Sequence, residues 1–178
     1  MKIVQLLSNL RYGDGTGNDV LALHNLFIKM GYESRIISTT IDERLNDVAC
    51  VFSYDLIPND CLLIFHKTSG DFLTRFFCNF QGNKILVYHN ITPAHFYLPY
   101  DIIFAWNLFR GRMQLRKIAS NCQYAWCDSY YNRSELIRKG FITENVSVLP
   151  IVMDFNRYTT TPDNVTSQML QTRKGIKL

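Results

Sequence analysis

The chain has 178 residues, 47% of them hydrophobic and 19% charged, with a formal net charge of +4. This is the composition of one globular domain with a substantial core, and it excludes disordered, collagen-like and low-complexity classes. The Lys and Arg residues are scattered rather than gathered beside stacking aromatics, which argues against a nucleic-acid partner; a weak attraction to anionic lipid head groups stays open.

The five cysteines (Cys50, Cys61, Cys78, Cys122 and Cys127) are odd in number and have no C-x-x-C spacing. Neither a disulfide framework nor a zinc site is expected. Cys61 and Cys127 lie in apolar runs and read as small core residues in a reducing cytoplasm. No apolar run approaches a membrane span, and MKIVQLLSNL lacks the cleavage site of a signal peptide. The expected location is cytoplasmic, extending to peripheral contact at the inner face of the membrane.

In chain order, Lys2 to Leu7 is a buried-strand run, followed by the turn Gly13-Asp14-Gly15-Thr16-Gly17. Asn18 or Asp19 can cap a helix whose apolar positions Val20, Leu23, Phe27 and Met30 share one face. Gly31 then suits a left-handed C-terminal stop. Ser34 to Ser38 is a second strand. Thr39 to Asp60 holds a connection with a short helix or an extra strand. Cys61 to His66 is a strand, Asp71 to Phe80 a helix and Lys84 to His89 a strand. Pro93 to Asn107 is aromatic and irregular. A helix over Arg110 to Cys122, a strand over Gln123 to Cys127, a helix over Asn132 to Lys139 and a strand over Asn145 to Val152 follow. Asn132 and Glu135 are spaced like a capping box. Asn156 to Leu178 has no long apolar period and reads as a linker or tail.

The strand runs are apolar throughout, as in a parallel sheet covered on both faces. Alternation of strands with helices predicts an α/β, Rossmann-like, doubly wound and mainly parallel fold over residues 1–155. Ligands in such sheets bind beyond the carboxyl ends of the strands. The glycine turn is one candidate: Gly13, Gly15, Gly17 and Asn18 would let backbone and helix N-terminus approach a phosphate or sugar. A dinucleotide fingerprint would need glycine in place of Asn18 and an acid in place of Ser38-Thr39-Thr40, so no nicotinamide cofactor is expected. His89 and Asn90, before the Thr92-Pro93 turn, leave a buried strand toward the cleft. His66 holds the analogous place one strand earlier. Asp128 and Ser129 open a helix after the strand QYAWC. Arg110, Arg112, Arg116 and Lys117 read as a solvated helix face, with phosphate contact or a membrane-facing patch as the sharper alternative.

Taken in order, GTGN (15–18), LLIFH (62–66), YHNITP (88–93), GRMQL (111–115), DSYYNRSEL (128–136), GF (140–141) and VLPIVMD (148–154) resemble the N-terminal domain of bacterial GT-B glycosyltransferases of family 4. The resemblance covers about residues 1 to 158, and YHNITP followed by DSYYNRSEL is its most specific part. It implies transfer of a sugar from a nucleotide-sugar donor with retention of configuration, without a required metal and with no cofactor beyond that co-substrate. The N-terminal domain would hold a saccharide or lipid-linked acceptor. The donor nucleotide would sit mainly on a C-terminal domain or separate subunit beyond a linker at 156–178. By position, the Gly13 to Asn18 turn would face the donor phosphates. His89 would approach the transferring sugar as the catalytic residue, and His66, Asn90, Asp128 and Ser129 would border the cleft. Such a half would be inactive alone, and glycan synthesis is the expected setting. The competing reading is a non-catalytic Rossmann-type binding or regulatory module.

Overall fold

The computed structural model describes residues 1–152 and 163–172. Seven strands run in one all-parallel sheet: β1 (Lys2–Leu10), β2 (Glu33–Ile41), β3 (Ala49–Val51), β4 (Cys61–Lys67), β5 (Lys84–Tyr88), β6 (Tyr124–Cys127) and β7 (Val146–Val148). Their spatial order is β3-β2-β1-β4-β5-β6-β7. The chain winds outward in one direction from β1 and in the other from β4. The topological switch point, where two adjacent strand ends splay their following loops apart, therefore lies between β1 and β4. The fold is the α/β, Rossmann-like class expected, with every strand pair parallel.

Alternation along each strand sends neighbouring side chains to opposite faces. Val4, Leu6, Leu63, Phe65 and Leu86 enter one core with Phe77, Leu108, Leu115 and Leu136. These last four come from α2 (Leu73–Asn79), α3 (Ile102–Ala119) and α4 (Tyr130–Arg138). Ile3, Leu7, Ile64 and Val87 face the other way and meet Val20, Leu23 and Phe27 from α1 (Gly15–Lys29). Two layers of helix over continuous apolar strands explain why those strands read as unbroken hydrophobic runs.

Several element boundaries differ from the sequence expectation. The first helix starts at Gly15, three residues before the expected cap, because Asp14 accepts the Gly17 N–H. Asp19 and Asn18 thus belong to the helix body. Met30 is 58% exposed instead of joining the buried face. Residues 39–60 contain the end of β2, strand β3 and 3-10 turns at Glu43–Leu45 and Tyr54–Leu56. The third helix begins eight residues before Arg110, where Asp101 caps it by accepting the Phe104 N–H at 2.9 Å. The last strand is cut to three residues. Gly31 and Gly140 take the left-handed conformations that end their helices, at φ +83° and +106°. A fifth helix, α5 (Asn164–Thr172), lies in the segment expected as linker, and its first turn is closed by Asp163 accepting the Thr166 N–H at 2.7 Å. The expected domain boundary at residue 155 lies outside the described residues.

Candidate functional site

Alternation at the end of β4 separates two adjacent polar side chains. His66 points under α1, and Lys67 points under α2 and α3. Both are fully buried. The Lys67 ammonium spends its three protons on Asp71 (2.9 Å), Thr74 (2.7 Å) and Gln114 (2.7 Å). Burial lowers its proton affinity, and the Asp71 carboxylate offsets part of that loss. Gln114 also donates to the Asp71 carbonyl, at 2.7 Å. Gly70 lies so close to Asn107 and Gly111 of α3 that a Cβ at either glycine would strike backbone. The segment HKTSGD is therefore a pinned loop, and its charge is internal.

On the other face a hydrogen-bonded chain fixes its own proton positions. Gln5 donates to the Val20 carbonyl (3.1 Å), so its amide oxygen faces His66 Nε2 at 3.0 Å as an acceptor. Burial, and then the neighbouring His89, push the His66 proton affinity well below the ordinary 6.5. A neutral His66 with its proton on Nε2 offers a lone pair at Nδ1, 2.9 Å from His89 Nε2. His89 Nε2 must therefore donate. The two rings lie nearly in one plane, 10° apart with centroids separated by 5.2 Å, which is an edge-to-edge hydrogen bond rather than stacking.

The other nitrogen of His89, Nδ1, is buried without a well-directed hydrogen bond and stands 3.3 Å from the Asp128 carboxylate. The carboxylate of Asp19 lies 3.8 Å from His89 Nε2 and accepts the Val152 N–H at 2.7 Å, which ties the chain after β7 to α1. Burial raises the proton affinity of Asp19.

The loop that carries His89 is held from both sides. Asn90 adopts a left-handed φ of +63°, which asparagine tolerates. The Tyr88 hydroxyl accepts the Ile91 N–H at 3.0 Å and donates to Glu135 at 2.6 Å. Arg112 bridges Glu135 to the Ile91 carbonyl. Glu135 is 1% exposed. It is thus a buried anchor, not the second half of a capping box. The N-cap of α4 is Ser129, whose hydroxyl accepts the Asn132 N–H at 3.2 Å.

His66, His89 and Asp128 are brought together at the carboxyl ends of β4, β5 and β6, with Asn90 and Ser129 beside them. The expectation that His89 projects into the open cleft is modified: its side chain is 3% exposed, and that of the neighbouring Asp128 18%. The glycine turn sits at the end of β1. A cavity of about 220 Å³ opens at the switch point, walled by Asn9, Arg11, Asp14, Thr16, Thr68, Ser69 and Phe104. Gly13 supplies a φ of +81° with open space around it, and a Cβ at Gly15 would make only an ordinary contact with Ile151, at 4.0 Å. Gly17 is different, because a Cβ there would collide with the Arg11 carbonyl and come within 2.8 Å of Asp14 Oδ1. Its absent side chain serves packing, and Gly17→Ala is expected to cost about 1–3 kcal/mol in a urea-unfolding experiment. The Asp14 carboxylate already occupies the Gly17 N–H. An incoming anion would meet the first-turn N–H groups of Gly15 and Thr16, with Arg11 alongside.

Sequence reasoning missed Gln5, Asp19 and the anchoring role of Glu135. The available signal was polarity inside an apolar pattern: Gln5 interrupts KIVQLL, and Asp19 and Glu135 fall on buried helix faces. Among the described residues, Asp19, His66 and His89 are the group that could hold a cation, since one donor atom of each lies within 4.8 Å of the others. Hydrogen bonds already engage both His66 nitrogens.

The neutral state of His66 has a thermodynamic consequence. Below pH about 6.5 the unfolded chain gains a proton that the folded chain refuses. Stability should therefore fall on acidification, by up to about 1.4 kcal/mol per pH unit from this residue. His24, whose proton affinity burial also lowers, adds in the same direction. Urea midpoints measured across this range should show a shallower slope in His66→Gln than in the parent.

No protein-family model matches the sequence, and no curated protein sequence matches it either. Solved structures do resemble the fold. An α-glucosyltransferase in complex with UDP and a 13-mer DNA containing a HMU base superimposes with a TM-score of 0.61 at 17% identity, over 92% of this chain and 46% of that one. Anabaena Alr3699/HepE in complex with UDP-glucose gives a TM-score of 0.60 at 16% identity, over 96% and 49%. The S. aureus MnaA–UDP co-structure gives 0.59 at 14%, over 94% and 50%. The class defined by fold and topology is thus an α/β Rossmann-like domain, the fold shared with about half of each of these proteins. The chain spans about half the length of these proteins.

Proposed function

We propose that this chain is the acceptor-binding half of a retaining glycosyltransferase, of the family 4 type, acting from a nucleotide-sugar donor onto a glycan or lipid-linked acceptor. The observation that carries the reading is the convergence of polar loops from β1, β4, β5 and β6 at the switch point of a sheet whose structural neighbours were captured with UDP or UDP-glucose. UDP-sugars are accordingly the first donors to test. In this reading a second domain binds most of the nucleotide. The Gly13–Asn18 turn, with Arg11, faces the donor phosphates.

His89 is the catalytic residue and acts at the transferring sugar. Its Nδ1 stands 3.3 Å from the Asp128 carboxylate, which positions the ring. Asn90, Asp128 and Ser129 border the acceptor, and His66 orients His89. No metal is needed for these roles. DNA accompanies the nucleotide in the α-glucosyltransferase complex; a saccharide or lipid-linked acceptor is the one proposed for this chain. Cytoplasmic polysaccharide synthesis is the setting that fits.

The test is sugar transfer and donor hydrolysis by the 178-residue chain alone and by the same chain joined to a donor-binding domain. Activity only in the joined form is expected. Turnover by the short chain alone would overturn the division of labour. The burial of the His89 imidazole favours the second reading, a non-catalytic binding or regulatory module. That reading gains if the joined form binds donor and acceptor but does not turn over.

A further inference from the structure

Three polar side chains from three elements converge beneath α1. His66 ends β4, His89 follows β5, and Asp19 lies on the buried face of α1. Their side chains are all buried. The backbone fixes the two histidines relative to each other. His66 stands in register with Leu7 and Val87, and the His89 N–H donates to the Lys67 carbonyl at 3.2 Å.

The hydrogen-bonded chain serves every nitrogen of the histidine pair except one. With its proton on Nε2, toward His66, the His89 ring presents a bare lone pair at Nδ1. That buried atom has no hydrogen-bond partner and faces the Asp128 carboxylate at 3.3 Å. Two acceptors set against each other in a buried site are unfavourable. The other tautomer, with its proton on Nδ1, satisfies Asp128 but sets the lone pairs of His66 Nδ1 and His89 Nε2 against each other at 2.9 Å. A cation between those two nitrogens resolves the conflict, because it takes both lone pairs. Asp19 Oδ2, 3.8 Å from His89 Nε2, supplies a third ligand atom and a negative charge. The spacings of 2.9 and 3.8 Å bracket the roughly 3.3 Å that separates donors around tetrahedral zinc. Two imidazoles and one carboxylate select zinc and its transition-metal neighbours over Mg²⁺ and Ca²⁺, which take oxygen donors.

Each ligand also has the supporting partner that orients ligands in such sites. Gln5 accepts the His66 Nε2 proton at 3.0 Å, Asp128 lies where it can accept a proton from His89 Nδ1, and the Val152 N–H holds Asp19 Oδ1 at 2.7 Å.

We infer that Asp19, His66 and His89 form a binding site for a divalent transition-metal ion of the zinc class, held by Asp19 Oδ2, His66 Nδ1 and His89 Nε2. Binding breaks the His66–His89 hydrogen bond and moves the His89 proton from Nε2 to Nδ1 through solvent. The ring stays neutral, and the pair neither gains nor loses a proton. The site uses no cysteine, so the cysteine spacing that argues against a thiolate zinc site does not bear on it. Under the proposed function the ion occupies the ring that acts at the sugar, so it inhibits transfer and is not required for it. The site itself does not depend on that reading.

The test is equilibrium dialysis of the 178-residue chain against Zn²⁺ and against Co²⁺, followed by visible spectra and by nitrogen resonances of the labelled imidazoles. Cys50→Ser is the background, because Cys50 is exposed while the other four cysteines are buried. One equivalent of Zn²⁺ is expected, with Co²⁺ giving visible bands that Zn²⁺ abolishes and the His89 proton found on Nδ1. Mg²⁺ and Ca²⁺ should bring about neither change. Gln5→Leu and Asp128→Asn should each weaken uptake about 10–100-fold, and His66→Gln or Asp19→Asn should weaken it further. If the variants of fully buried residues unfold, Asp128→Asn decides, since Asp128 is partly exposed. No uptake by the parent, uptake unweakened in Asp128→Asn, or a His89 proton that stays on Nε2 in saturating Zn²⁺ overturns the inference. Loss of sugar transfer in His89→Ala would still support the proposed function after such a failure.

Discussion

Glu135→Ala should cost about 3 kcal/mol of stability, because it removes one partner of a buried ion pair and leaves the others unsatisfied. Glu135 is 1% exposed. It takes the Tyr88 hydroxyl proton at 2.6 Å and pairs with Arg112, while both partners hold Ile91. For a chain of this length the loss corresponds to roughly 6–12 °C in Tm. Tyr88→Phe should cost less, about 1–2 kcal/mol, since only one Glu135 oxygen and the Ile91 N–H lose a partner. Glu135→Gln should fall between them, because an amide can still accept from Tyr88. A change below about 1 kcal/mol in Glu135→Ala would mean that Arg112 is effectively solvated and that the loop carrying His89 is held some other way. The same anchor links stability to function. Loosening Ile91 releases the turn that sets His89 against Asp128, so Glu135→Gln should lower activity more than its stability loss alone accounts for.

His89→Ala should reduce sugar transfer by about a hundredfold to a thousandfold, the range seen when one preorganised donor at a reacting centre is removed. The assay is kcat with nucleotide sugar for the chain joined to a donor-binding domain. Asp128→Asn should produce a smaller loss. It keeps a polar group beside His89 Nδ1, 3.3 Å away in the parent, and removes the carboxylate charge. Gln5→Leu breaks the chain two hydrogen bonds earlier. It should lower kcat with little effect on KM if the relay holds the His89 tautomer. An unchanged rate in His89→Ala would remove this residue from the site, and the buried histidine pair would then be a structural network.

The parallel sheet was legible because β1, β4 and β5 are apolar on both faces, a pattern that one-sided burial does not produce. The glycines that stop α1 and α4 were equally legible, since Gly31 and Gly140 take left-handed angles. The start of α3 was hidden. Ile102, Ile103, Trp106 and Phe109 are exposed, so apolar periodicity there marks a surface rather than the core face, and the segment reads as irregular. The cap of α1 was misplaced because Asp14 stands among glycines, which suggest a loop rather than a helix start.

At the site, the sequence pointed to each strand end but not to depth. His66 and His89 occupy matching places after their strands. Only the register of β4 and β5 and the approach of α1 show that their rings hydrogen-bond to each other beneath the surface. Gln5 and Asp19 come from β1 and α1. Their distance in sequence from His66 hides a network that alternation and strand order assemble.

The most direct test is a titration of the isotope-labelled chain with a UDP-sugar at millimolar concentration, followed by amide resonances. The expected result is weak binding that shifts Arg11 to Gly17, Thr68 and Ser69, with His89, Asn90, Asp128 and Ser129 moving when a saccharide acceptor is added. Unmoved resonances at these strand ends, or shifts confined to the β3 edge of the sheet, would contradict the proposed site.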